Sequence, residues 1–267
     1  MEVGIHLSCL PALSFETAIP LIAEAGFTAT SLGGTPHLAG YDTPENRCKL
    51  ERLLRQYHLS LDSVHAPFPE GDRLFSEDES ERLHSIECCY LALDAAAELD
   101  GKAMVIHMIQ PYGIPPGEKR DRMIEQGRRS VATLADYAAR RNVILALENG
   151  QRLEYDQVLF QLLEEFQVPH VGLCYDSGHE NVQGTCFEIL ERYGDRLVAL
   201  HLHDNHGTDA HLLPYEGNID WEKFRKAMRK LAYSKALLLE SGMQHSAFQD
   251  GKEFLREAKL RVERLQP

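Results

Sequence analysis

The sequence predicts a single (β/α)8 TIM barrel, and three observations point to it. Short apolar runs alternate with amphipathic, charge-rich segments eight times between Val3 and Leu265. The runs are apolar at successive positions rather than at every second one. Strands covered on both faces require this, so the sheet is parallel and wrapped in helices. Finally, 267 residues, 43% hydrophobic and without a linker or low-complexity tract, suit one closed domain over residues 1–267. A doubly wound open sheet is the alternative, but the first strand-to-helix turn lacks the glycine fingerprint of that fold.

Each element follows from local chemistry. Residues 3–7 form the first strand; Ser14 caps a helix over 15–25, which Gly26 stops and whose middle Pro20 weakens. Residues 27–32 form the second strand, closed by Gly33-Gly34. Thr43-Pro44 supplies a hydroxyl cap and a proline at the first helical position for a helix to about residue 57. Residues 59–64 form the third strand, ending in His65-Ala66-Pro67. Ser76 and Glu79 have capping-box spacing and open a long helix to about residue 99. Strand four, 102–106, ends in His107; a helix covers 118–141; strand five, 143–147, ends in Glu148-Asn149. A helix over 155–166 leads to strand six, 168–175, which ends in Asp176-Ser177-Gly178-His179. A short helix over 187–193 and the Gly194-Asp195 turn precede strand seven, 197–200, and His201. A helix over 221–232, strand eight over 236–239 ending in Glu240, and a last helix over 248–265 complete the alternation.

The formal net charge is −13, whereas phosphate-binding surfaces carry clustered Lys and Arg, so the balance weighs against nucleic acid as a partner. Six cysteines form no CxxC pair, the amino terminus has no basic leader region, and no apolar run reaches membrane-spanning length. These features predict a cytoplasmic protein with reduced thiols.

The chemistry collects at the strand ends. In a barrel of this kind the carboxyl ends of the strands converge on one face, where active sites lie. Strands three to eight end in His65, His107, Glu148, Asp176, His201 and Glu240, and loops add His179, Asp209 and His211. A lone strand-end histidine is usually a capped or solvated residue. Six metal-capable strand ends in succession are a different matter. Four carboxylates, Glu148, Asp176, Asp209 and Glu240, brought together near one axis would repel one another unless a divalent cation joined them. His203 and Asn205 fit a supporting or substrate-contacting role, with plain surface polarity as the equal alternative. Tyr112 and Trp221 are candidates for an apolar wall, Trp221 equally for a core anchor. Arg73 and Arg152 are candidates for meeting an anionic group.

These residues also carry a resemblance. HAP at His65, VIH ending at His107, LEN at Glu148, CYDSGH ending at His179, HLHDN from His201 and DAHLLPYEGNIDW from Asp209 resemble the xylose isomerase-like barrel superfamily. That group of sugar-phosphate isomerases and epimerases also contains endonuclease IV. The resemblance covers essentially the whole barrel and implies one to three divalent ions (Zn, Mn, Fe or Co). In the epimerases one ion is held at positions matching Glu148, Asp176, His201 and Glu240. In endonuclease IV three zincs use those four plus His65, His107, His179, Asp209 and His211. The acidic charge and the HLHDN and LLPYEGNIDW forms favour the sugar enzymes. The expected function is therefore a metal-dependent sugar or sugar-phosphate isomerase or epimerase. It would remove a proton next to a carbonyl through a metal-stabilised enediolate, with Glu148 and Glu240 as the acid/base pair. His65, His107, His179, His203 and Asn205 are then candidates for substrate contact. The alternatives are trinuclear-zinc cleavage at abasic DNA and dehydration of a cyclic polyol. Two departures, Pro214-Tyr215-Glu216 and Ser31-Leu32-Gly33-Gly34 in place of an acidic strand end, bear on substrate choice rather than on the metal. The implied partner is a small carbohydrate, and association into a homo-oligomer is common in this group.

Overall fold

Eight strands pair in parallel and in sequence order: β1 Val3–His6, β2 Ala29–Leu32, β3 Ser60–His65, β4 Ala103–Ile106, β5 Ile144–Glu148, β6 Val171–Asp176, β7 Leu197–His201 and β8 Leu237–Leu239. The computed structural model describes residues 1–110 and 112–267. β8 returns to pair with β1, Val3 opposite Leu237 and Ile5 opposite Leu239, so the sheet curls into the predicted barrel. Between β7 and β8 the closure is thin. It consists of the Leu202–Leu239 bridge, in which the Leu202 amide donates to the Leu238 carbonyl at 2.9 Å and Glu240 donates back at 3.0 Å.

Among the described residues ten helices surround the sheet: α1 Phe15–Glu24, α2 Pro36–Ala39, α3 Pro44–Gln56, α4 Glu79–Glu98, α5 Glu118–Arg141, α6 Leu153–Glu165, α7 Ser177–Gln183, α8 Glu188–Tyr193, α9 Trp221–Met228 and α10 Gly251–Arg264. Strand alternation divides the interior in two. Ala103, Val105, Ala146, Cys174 and Ala199 form a small inner cluster, whereas their neighbours Met104, Leu145, Leu147 and Leu173 join the larger core that includes helix residues such as Leu134 and Leu159. The small inner layer leaves room for the polar strand ends above it. No helix among the described residues is long and apolar enough to cross a membrane.

Several sequence expectations need correction. Asp78, not Ser76, caps α4, accepting from the Ser80 and Glu81 amides at 2.8 and 3.3 Å; Ser76 instead bonds the Glu81 side chain. Ser14 occupies the cap position of α1 without a side-chain cap bond, and the helix runs unbroken through Pro20. Strand six starts at Val171 rather than 168, after a turn in which the Val171 amide bonds the Val168 carbonyl. The short helices α2 and α7 add to the expected elements. As expected, Gly26 ends the first helix, with φ of +88°.

Candidate metal centre and active site

Glu148, Asp176, His201 and Glu240 come from β5, β6, β7 and the end of β8, yet each offers a ligand atom within 4.8 Å of the others'. His201 sits between the two glutamates, its Nδ1 3.0 Å from Glu148 Oε1 and 3.2 Å from Glu240 Oε2. Asp176 caps α7, accepting from the His179 amide at 2.6 Å, and Asn149 clamps its backbone from β5. All but Glu240 are buried.

A second group abuts the first. The His65 Nδ1–H donates to the Ala66 carbonyl at 2.9 Å, and the His107 Nδ1–H to Asp72 at 3.1 Å. Both rings are thereby set in the tautomer that leaves Nε2 bare. Those two nitrogens lie 3.2 Å apart and 3.5 and 3.6 Å from Glu148 Oε2, which is buried without a hydrogen-bond partner. With both rings neutral, three lone pairs are directed at one another there, and either a proton or a cation has to reconcile them. His179 and His211 repeat the device: each Nδ1 bonds a backbone carbonyl, of Asn149 and Glu240, both at 2.8 Å. Their Nε2 atoms flank Asp209 at 3.6 and 3.3 Å. The structure thus brings all nine expected donors to one face of the barrel. Cys174 also approaches Glu148 and His201, but burial pushes its thiol up to about 12, so it stays neutral.

Electrostatics follow the same pattern. Burial alone would raise the Glu148 and Glu240 carboxyls, but the imidazoles, His201 foremost, outweigh it and hold both well below the usual carboxylate range. Burial works against charged His211, yet Asp209 and Glu240 lift it to about 9. With protons alone to balance the carboxylates, the imidazoles of His107, His179, His201 and His211 are pushed towards their charged forms. The donor set, neutral imidazole nitrogen with carboxylate oxygen, suits Zn, Mn, Fe or Co.

Two expected contacts are not made. His203 and Asn205 are fully buried and do not line the cavity. His203 bonds Asp176 through Nε2 at 3.1 Å and stacks on His211 with ring centroids 4.0 Å apart. Asn205 ties the Gly178 carbonyl to the following loop. Gly178 has to be glycine here, since a Cβ would lie 1.9 Å from the His203 ring. Trp221 is likewise no cavity wall: its indole N–H donates to buried Asp204. Asp204 is the keystone of the loop carrying Asp209 and His211, accepting also from the Asn205, Tyr215 and Ile219 amides.

The cluster opens into a cavity of about 540 Å³. Tyr112 lines it, as expected, and Gln151 donates to Asp209 at 2.8 Å. No lysine or arginine is among its described lining residues; Arg152 stacks 5.7 Å over Tyr112 outside it, and Arg73 lies elsewhere. Sequence reasoning missed Asp72 and His6. Asp72 reaches His107 only through the short turn Glu70–Arg73, a contact that no sequence spacing reveals. His6 ends β1, the same strand-end signal as the others, but apolar Leu7 after it extends the run and hides that end. Its ring faces the cavity, bonds Ser8 at 2.6 Å, and is held neutral by burial, which takes it down to about 4.

Comparison with known proteins agrees with this architecture. Residues 19–258 match the family described as xylose isomerase-like TIM barrel. An uncharacterized protein of Sinorhizobium fredii, y4fM, is 29% identical, with 90% of this chain and 85% of that one covered. The D-psicose 3-epimerase of Enterocloster bolteae is 27% identical over 82% of this chain and 74% of its own. Among solved structures, the IOLI protein with a binding zinc atom superposes with a TM-score of 0.80 at 16% identity, covering 99% of this chain and 96% of that one.

Proposed function

Since the chain belongs to the xylose isomerase-like TIM barrel family, we propose that it is a divalent-metal-dependent isomerase or epimerase of an unphosphorylated sugar. One observation carries the reading: four strand ends from separate parts of the chain place Glu148, Asp176, His201 and Glu240 around a common point, beside an unsatisfied Glu148 oxygen. These four would hold the ion, and His65 and His107 with Glu148 a second. A bound divalent ion would supply electrostatic stabilisation of the negative charge that develops when a proton leaves the carbon next to a carbonyl.

The protein's own groups do the rest. Glu148 and Glu240, whose carboxyls are both held low, form the acid/base pair: the ionised one takes the proton from one side of the sugar, and the other, first protonated from solvent, gives its proton to the opposite side. His179, His65 and His107 border the cavity and present imidazole edges to sugar oxygens where they do not bind an ion. No lysine or arginine lines the cavity among the described residues, so a phosphate ester would find no guanidinium or ammonium to grip it there.

The test is solvent deuterium uptake by a panel of ketoses, with the metal content of the purified protein measured beforehand. Glu148→Gln and Glu240→Gln are each expected to lower exchange by a factor of about 10²–10⁴. Near-normal exchange in either variant would remove it from the acid/base pair. Loss of water from a cyclic polyol, scored in the same assay, would instead assign the base to elimination. The further donor groups at His65–His107 and Asp209–His211 favour a second reading, three-ion phosphodiester cleavage, against which stands the lack of lysine or arginine among the described lining residues to grip the rest of a duplex. Incision of an abasic duplex by zinc-loaded protein would establish it.

A further inference from the structure

The metal-binding residues occupy one side of the cavity, and the other side is apolar. Leu13 and Phe68, from the loops after β1 and β3, and Leu38, from the short helix α2 after β2, are 39%, 53% and 61% exposed and all line this one cavity. Buried Leu7, Phe15 and Met108 back them. Exposed large hydrophobics scattered singly need no explanation; three converging on the mouth of a polar site do. The wall is continuous with the chemistry, because the Phe68 ring stands edge-on to His107 with centroids 5.8 Å apart. Its floor is bare backbone. A side chain at Gly34 would meet the Ala66 carbonyl at 2.7 Å and one at Gly33 the His6 ring at 2.8 Å, so the end of β2 projects nothing into the space. A cavity of about 540 Å³ belongs to the range that holds ligands well beyond a single small sugar.

We propose that this wall is a subsite for an apolar substituent, so that the substrate is a sugar bearing an alkyl or aryl group rather than a free sugar. The inference rests on the reading of the cluster as a sugar site. A head group on the carboxylates and imidazoles would leave its attached group against Leu38, Leu13 and Phe68. There, each methylene removed from water is worth roughly fourfold in affinity.

The experiment is calorimetric titration of the metal-replete protein with D-glucose, phenyl β-D-glucopyranoside and n-hexyl β-D-glucopyranoside. The two glycosides are expected to bind about tenfold tighter or more than glucose. In Leu38→Asp and in Leu13→Asp the ratio should fall towards one, with circular dichroism and melting temperature reporting that each variant is folded. A ratio near one in the wild type, or a ratio preserved in both variants, overturns the proposal. Light scattering covers the competing occupant: if Leu38→Asp turns a dimer into a monomer and leaves the ratio unchanged, the wall is an interface between copies. The two readings fail separately. Ketose exchange without glycoside preference sinks the subsite alone, and glycoside preference without exchange sinks the isomerase.

Discussion

Asp204 makes no contact with the cavity, yet replacing it is expected to be among the most damaging single changes in the protein. Its Oδ1 accepts from the Asn205 and Ile219 amides at 2.9 and 3.1 Å, and its Oδ2 from the Tyr215 amide and the Trp221 indole, both at 2.9 Å. The loop so gathered holds two non-glycine residues in the left-handed region, His211 at φ +45° and Tyr215 at +72°, a strain these bonds must outweigh. In Asp204→Asn one oxygen becomes an amide nitrogen, so two of the four donors lose their acceptor and face another donor. Hydrogen bonds to a charged group are worth about 1.5–3 kcal/mol each, giving a loss of about 3–6 kcal/mol. Urea unfolding followed by circular dichroism would read it as a fall in midpoint at unchanged slope, and melting as a drop of about 6 °C or more. A variant within about 1 kcal/mol of the wild type would refute the keystone role.

Two further changes test other parts of the argument. Asp62, fully buried in β3, is driven up to about 6 by burial, which the nearby Lys235 only partly offsets. Between the unfolded value near 3.8 and about 6 the folded chain keeps a proton that the unfolded chain has released, so stability falls as pH rises through that window, by about 3 kcal/mol in total. Asp62→Asn is therefore expected to flatten the stability profile between pH 4 and 6 and to raise stability at pH 7 by about 1 kcal/mol or more, a gain kept below the full ~3 kcal/mol because Lys235 loses an attraction; a profile identical to the wild type would contradict this. Gly34→Ala forces a methyl against the Ala66 carbonyl and is expected to cost about 1–3 kcal/mol, read as a lowered melting temperature, and an unchanged melting point would show that the β2 end can yield.

The fold was legible because buried parallel strands write themselves as apolar runs, and the runs here stop at metal-capable residues. Glu148, Asp176 and His201 end their strands for that reason, and Glu240 follows directly on β8. What sequence does not encode is direction in space. His203 and Asn205 read as part of the same polar burst as His201, but the chain turns them inward, to Asp176 and Gly178, rather than towards the cavity. Asp72 gives no signal because its partner His107 is 35 residues away and the meeting depends on a short turn. Spacing alone points to Ser76 as the cap of α4, but the Asp78 carboxylate reaches two free amides at once and takes that place.

The order of the strands around the ring has its own consequence for biogenesis. β1 has β2 on one side and must wait for β8 on the other, and the backbone pairing across the β7–β8 seam runs through Leu202. Glu240 follows directly on β8, so the last donor of the cluster arrives with the strand that shuts the ring. A ribosome-bound chain short of residue 240 would carry an open sheet edge and an incomplete cluster together, and the two would be cured in the same step.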